Sequence, residues 1–201
     1  MVKKSLERIY LILIFLFLYL PIAVLVILSF NDSKSRVMWG GFTFKWYREL
    51  LESSMIMEAF QTTIVVTLSA SLIATLLGTM AAIGIHSMKK SGRTLMLGAT
   101  NIPLLNADIV TGISMMLVFV RFTSLGLHTV LIAHITFDIP YVILNVLPKL
   151  NQTSRSSYEA ALDLGAKPLY AFFKIVWPQI TPGVLSGFLM SVTMSMDDFS
   201  I

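Results

Sequence analysis

Residues 9–30 read IYLILIFLFLYLPIAVLVILSF, 22 positions without a charge. At about 1.5 Å per residue a helix over this run reaches about 33 Å, enough to cross a hydrocarbon core about 30 Å thick. Signal peptides have apolar cores of roughly 7–15 residues, and no small-residue cleavage site follows here, so the run reads as a retained anchor helix. Pro21 is placed to kink it. Further apolar runs follow at about 59–86, 95–120, 129–147 and 180–201, the last opening between Pro178 and Thr181. Pro103, Asn106 and Asp108 interrupt the third, and Pro140 lies inside the fourth. Strands of a membrane barrel would alternate with period two, whereas these runs are continuously apolar. The expected fold is all-α: a polytopic transmembrane helical bundle with five spans, a single transmembrane domain over 1–201.

Composition agrees. Of 201 residues, 56% are hydrophobic and 13% charged, with a mean hydropathy of +0.79. Soluble domains carry about 25% charged residues, so this chain is neither disordered nor an ordinary soluble globule. The absence of cysteine excludes disulfide scaffolds, thiolate metal sites and cysteine nucleophiles. The net charge of +4 points to membrane orientation rather than nucleic acid, because the basic residues are asymmetrically placed. With the N-terminus in the cytoplasm, the inner side holds Lys3, Lys4, Arg8, Lys89, Lys90, Arg93, Lys149, Arg155, Lys167 and Lys174. The outer side holds only Lys34, Arg36, Lys45, Arg48 and Arg121.

Two hydrophilic segments lie between spans. In the outer one, 31–58, Thr43 can cap a short helix with Trp46/Leu50 and Tyr47/Leu51 at i, i+4 spacing. That pattern suits an amphipathic helix at the membrane interface. The inner one, 149–179, contains YEAALDLGAKPLYAFFKIVWP at 158–178. Glu159 to Leu164 favours helix, with Ala160 and Ala161 forming a low-profile side open to close approach. Gly165 can end that helix in a left-handed turn. Pro168 can open a second short helix with Leu169, Phe172, Phe173 and Val176 on one face, and Pro178 suits the start of the next span. A passive connector of about 30 residues would be long; long ordered loops tend to be functional.

This segment resembles the EAA motif of binding-protein-dependent ABC transporter permeases: Glu159-Ala160-Ala161, three residues, Gly165, then Ile175 and Pro178 at the I-x-L-P end. Trp177 stands where that family usually has Leu, a bulky apolar side chain in an apolar slot. The stretches 103–114, 133–149 and 194–199 are similar to the C-type permease subunit of spermidine/putrescine transporters. The resemblance implies a type I importer permease fold and a coupling role for Glu159, Ala160, Ala161, Gly165, Ile175 and Pro178. It implies alternating access driven by ATP, with a second permease subunit, an ATP-binding subunit dimer and an extracytoplasmic substrate-binding protein as partners. The setting implied is the bacterial cytoplasmic membrane, with lipid and no nucleic acid around the chain. No cofactor is expected on this chain: it has no Gly-rich phosphate loop, and ATP and Mg would sit on the partner ATPase. The family ends with a sixth span, so the chain is expected to be C-terminally truncated, with a nonfunctional remnant as one alternative.

Charges in hydrocarbon are expensive and usually line a pathway or pair with a partner. Asp108, Asp138, Asp197 and Asp198 lie within the expected spans, with no Lys or Arg clearly among them. Such a one-signed interior attracts a cation, and a polyamine carries several. Asp108, Asp197 and Asp198 are the expected pathway acids, with Trp46 outside as a cation–π candidate. Each has a structural alternative. Asp108 can cap the helix restarting at Ile109. Asp138 can satisfy backbone groups freed by Pro140. Asp197 and Asp198 can pair with a partner subunit, and Trp46 can serve as an interfacial anchor. Thiamine or a metal ion remain alternative cargoes. An intramembrane metal enzyme using His134 and Asp138 is a further alternative, although a catalytic zinc needs a third ligand. The twelve methionines read as adaptable packing. Ala70, Ala74, Gly78 and Ala82 form a small-residue stripe that permits close helix packing.

Overall fold

The structure, a computed structural model, describes residues 2–35, 37–106 and 108–197; the side chains at 2–6, 108 and 155 lie outside that description. Among the described residues the regular secondary structure is helical, apart from one isolated bridge, Asn31 to Phe42. Among the described residues, four helices are long and apolar enough to cross a membrane, or five when a bent pair is counted as one span. The chain divides into two compact units, Met1–Phe60 and Gln61–Ile201.

In the first unit, α1 (Val2–Leu28) runs through Pro21 without interruption. Its side chains from Ile9 to Ile27 are exposed on every face, as a helix solvated by lipid requires. The chain then folds around Asn31, which is 2% exposed. Its side-chain amide donates to the carbonyls of Ser35 (3.2 Å) and Met38 (2.8 Å). Its oxygen accepts from the N–H groups of Ser33 (3.2 Å) and Gly40 (2.7 Å). Phe30 stacks on Phe42, Phe44 meets both edge-on, and Tyr47 tilts against Phe30. The short amphipathic helix is α2 (Lys45–Glu52). It starts one residue later than expected, so the cap position falls to Phe44, whose side chain cannot accept. Thr43 still takes the Lys45 N–H, at 3.1 Å.

The second unit is organised by α6 (Leu127–Gln152), which lies between α3 (Ser54–Ser87) and α9 (Trp177–Asp197). The stripe of Ala70, Ala74, Gly78 and Ala82 is buried on α3. A Cβ at Gly78 would stand 2.7 Å from the Val142 Cβ, so the missing side chain is what lets α3 seat on α6. On the α9 side, Gly187 meets the Val142 backbone, and a Cβ at Gly183 would strike the Asn145 carbonyl at 2.9 Å. Lipid tails are as apolar as leucine, so such close backbone approach, rather than exclusion of water, is what drives helices together in a bilayer. Ser186 adds a hydrogen bond to the Asn145 side-chain oxygen at 3.0 Å. Ala82, Ile85, Val142, Ile143, Val146, Leu147, Leu150 and Ile180 form the core at the end of the bundle nearest residues 149–179.

Two boundaries differ from expectation. The third run is two helices, α4 (Lys90–Leu105) and α5 (Asp108–Phe122), bent by 103°. α4 ends at Leu105, with Asn106 already extended; Pro103 is tolerated inside its last turn. The fifth helical rod begins well before Pro178. After α7 (Arg155–Asp163), α8 (Pro168–Ala171) passes through a π-helical turn (Phe172–Val176) directly into α9. The expected separate helix over 168–176 is therefore the start of the last span. The π turn contains Lys174, whose carbonyl the Pro178 ring would strike in a regular α-helix, and the widened geometry accommodates it.

Candidate functional site

Glu159, Ala160 and Ala161 lie on α7, the first two exposed and the third half-buried. The helix ends in a Schellman turn: the Gly165 N–H donates to Leu162 O (2.9 Å) and the Ala166 N–H to Ala161 O (3.0 Å). Gly165 has φ +86°, the left-handed region where a side chain is strained. The turn holds Leu164 outward, 89% exposed, with Leu169 (74%) and Phe173 (59%) also uncovered. Phe172 and Val176, expected on the same face as Leu169 and Phe173, pack instead onto the core, because the π turn changes the helical period between them. Ile175 is half-buried and Pro178 exposed. At the base of this segment Asn151 ties three elements: its oxygen accepts from Arg93 of α4 at 2.9 Å and lies 3.1 Å from Nδ1 of His86 on α3.

The acids separate. Asp108 is the first residue of α5, one position inside the helix it was expected to cap, and its side chain lies outside the described residues. Asp198 lies outside them altogether. Asp197 is exposed at the end of α9 and lines a cavity of about 60 Å³ with His134, Phe137, Asp138 and Tyr141 of α6 and Met194 and Ser195 of α9. Within it, His134 Nδ1 is 2.8 Å from Ser195 Oγ, joining the two helices. Asp138 is 1% exposed. The carbonyl freed by Pro140 belongs to Thr136, one turn before it on α6. Among the described residues no three His, Asp or Glu side chains are grouped to hold a metal ion. Sequence reasoning singled out Asp197 but not Tyr141 or Ser195. The available signal was the polar spacing of His134, Asp138 and Tyr141 at i, i+4, i+7, one helical face.

Trp46 sits apart from these acids in the sequence, on α2. Its indole N–H donates to the Asn31 carbonyl at 2.7 Å, and the Lys45 ammonium stands 5.3 Å from its ring centroid. The ring thus already serves as a cation–π platform, for a cation of its own chain.

Residues 74–201 match the family model described as "Binding-protein-dependent transport system inner membrane component". The chain is 37% identical over 188 residues to the putrescine transport system permease protein PotI of Escherichia coli, covering 88% of this chain and 66% of that protein. It is 33% identical over 175 residues to the spermidine/putrescine transport system permease protein PotC of Escherichia coli, covering 87% and 66%. The PotC protein of Haemophilus influenzae is 34% identical over 175 residues, covering 87% and 68%. The chain therefore spans about two thirds of the length of these relatives. These relatives are permease subunits rather than enzymes, so the intramembrane metal enzyme is set aside. With several apolar helices of spanning length and this match over most of its residues, the chain belongs to the binding-protein-dependent transport system inner membrane components, a family of multi-pass membrane permeases.

Proposed function

We propose that this chain is a permease subunit of an ATP-driven importer that moves polyamines, spermidine or putrescine, across the bacterial cytoplasmic membrane. The observation that carries the reading is its identity of 33–37% to permeases named for these cargoes, along 87–88% of the chain. Supporting it, Asp138 and Asp197 line one cavity between α6 and α9, where a polycation gains most from carboxylates. Asp108 and Asp198 belong to the same pathway in this reading, and Trp46 receives amines at the outer face.

The cycle then runs as follows. An extracytoplasmic binding protein delivers the cargo to this chain and a second permease subunit. Closure of two ATP-binding subunits, which carry ATP and Mg, pulls on α7 and its Schellman turn. Glu159 to Gly165 dock on that motor with Leu164 and Leu169 as apolar contacts, and the exposure of both side chains favours this. Because the π turn makes α8 and α9 one continuous rod, a force on Pro168 reaches Asp197 without crossing a loop. The excess of Lys and Arg on one side favours a cytoplasmic N-terminus.

The test is uptake of labelled putrescine by cells carrying the whole importer, competed with putrescine, spermidine, thiamine or divalent metal. Competition by the two polyamines alone is expected; competition by thiamine or metal alone would overturn the cargo. Asp108→Asn is expected to cut uptake while the complex still assembles, and unchanged uptake removes Asp108 from the pathway.

A further inference from the structure

We infer that the cavity where α3, α6, α7 and the π turn meet is a site for one anionic phospholipid. Its phosphate lies on Arg93 and the neighbouring lysines, and part of an acyl chain lies over Ile83, Leu150, Phe172 and Val176. The inference rests on the chain being a membrane permease and not on the cargo it moves. Three observations converge. The first is charge. The turn from α3 into α4 carries His86, Lys89, Lys90 and Arg93, and residues 81–105 contain no Asp or Glu. Among the described residues no carboxylate pairs with these side chains; the ion pair found there is Lys45 with Glu49, on α2. Arg93 donates to the Asn151 side-chain oxygen at 2.9 Å, and that oxygen stands 3.1 Å from Nδ1 of His86. The shared acceptor holds the guanidinium beside His86, which lines the cavity, and leaves its other N–H groups for an incoming oxygen. A planar guanidinium fork matches a phosphate.

The second is shape and lining. The cavity measures about 280 Å³, just under the roughly 300–1,000 Å³ of pockets that enclose a small molecule. It therefore takes the glycerol end and a few methylenes of a lipid, not the whole molecule. Its lining is graded. Leu150 is buried and Ile83, Phe172 and Val176 are half-buried, whereas Ser87 and Ser154 are exposed. No Asp or Glu lines it. An apolar recess with a polar rim and cations at one edge complements a molecule that is anionic at one end and apolar along the rest. A free phosphate would use the cations and leave the recess unused. The third is place. α3 and α6, both long and apolar enough to span, end at Ser87 and Gln152, so the cavity lies at the level of lipid headgroups. Basic pockets at that level between spanning helices bind anionic headgroups. Because Tyr158 also lines the cavity, the bound lipid braces the first turn of α7 against the bundle.

The test uses the full chain with its partner subunits in phosphatidylcholine nanodiscs. These contain a few percent of phosphatidylglycerol, or of phosphatidylcholine, bearing a diazirine on the acyl chain. The phosphatidylglycerol probe is expected to label peptides holding residues 83–87 and 172–176 several-fold more than the phosphatidylcholine probe. Unlabelled phosphatidylglycerol should compete, and millimolar inorganic phosphate should not. Arg93→Gln, which keeps an amide donor for Asn151, is expected to lower that labelling about fivefold, the worth of one cation near an anionic surface. If Arg93→Gln fails to assemble, the double variant Lys89→Gln/Lys90→Gln, at two exposed positions, is expected to lower it at least as much. Ser87→Phe, at the rim, should block the acyl chain and lower labelling at 172–176. Equal labelling by the two probes would reduce the site to ordinary lipid contact and overturn the inference. So would labelling unchanged in the charge variants, or full competition by inorganic phosphate. Absence of label at both peptides, as expected if an acidic segment of a partner subunit fills the recess, overturns it as well.

Discussion

Replacing Gly165 by alanine isolates the backbone contribution of the turn after α7. A Cβ there would meet nothing within 4 Å, so crowding within the chain is not at issue. The cost is conformational: φ is +86°, and an L-residue with a Cβ loses about 1–2 kcal/mol in the left-handed region. Two hydrogen bonds, Gly165 N–H to Leu162 O and Ala166 N–H to Ala161 O, depend on that φ. A change of 1–2 kcal/mol lowers the population of the closed turn about 5–30-fold relative to its open forms. Asparagine tolerates the left-handed region better than alanine although it is larger. Putrescine imported per ATP hydrolysed, measured in proteoliposomes, should therefore fall in the order glycine, asparagine, alanine. If coupling follows side-chain size, with asparagine worse than alanine, the partner surface and not the backbone sets the requirement. Wild-type coupling in Gly165→Ala would refute the conformational argument.

Gly78→Ala should lower the thermal stability of the purified subunit, because the new methyl stands 2.7 Å from the Val142 Cβ and overpacking costs about 1–3 kcal/mol. Adding Val142→Ala should recover much of the loss in a double-mutant cycle, and additive losses would show that the two helices do not meet there. Asn31→Ala removes four side-chain hydrogen bonds around a buried residue, about 2–4 kcal/mol for the segment. Limited proteolysis between residues 33 and 41 should accelerate more than tenfold, while cleavage elsewhere is unchanged.

The spans were legible because apolar runs of about twenty residues have few alternatives, and the close contact at Gly78 was foreshadowed by small residues every four positions. The end of α7 at Gly165 was legible too, since a glycine after an alanine-rich turn is chemically suited to the left-handed position. The junction at 168–178 was not. Two prolines bracketing a short apolar segment suggest a separate helix, and only the π turn makes the rod continuous. The α6–α9 cavity was half visible. His134 and Asp138 share a face of one helix, but that Ser195 and Asp197 stand opposite depends on the docking of two segments about sixty residues apart. Periodicity along a single run carries no information about that docking.

The widened loop at Phe172–Val176 also sets the angular phase of everything after it. Each residue of an α-helix advances the azimuth by about 100°. Removing one residue there would leave the rod intact yet swing Gly183, Gly187 and Ser195 a quarter-turn or more off α6, presenting bulky flanks where the notches had been. The irregularity therefore acts as an indexing tooth, and length-changing mutations in those five positions should be far less tolerated than changes of side chain.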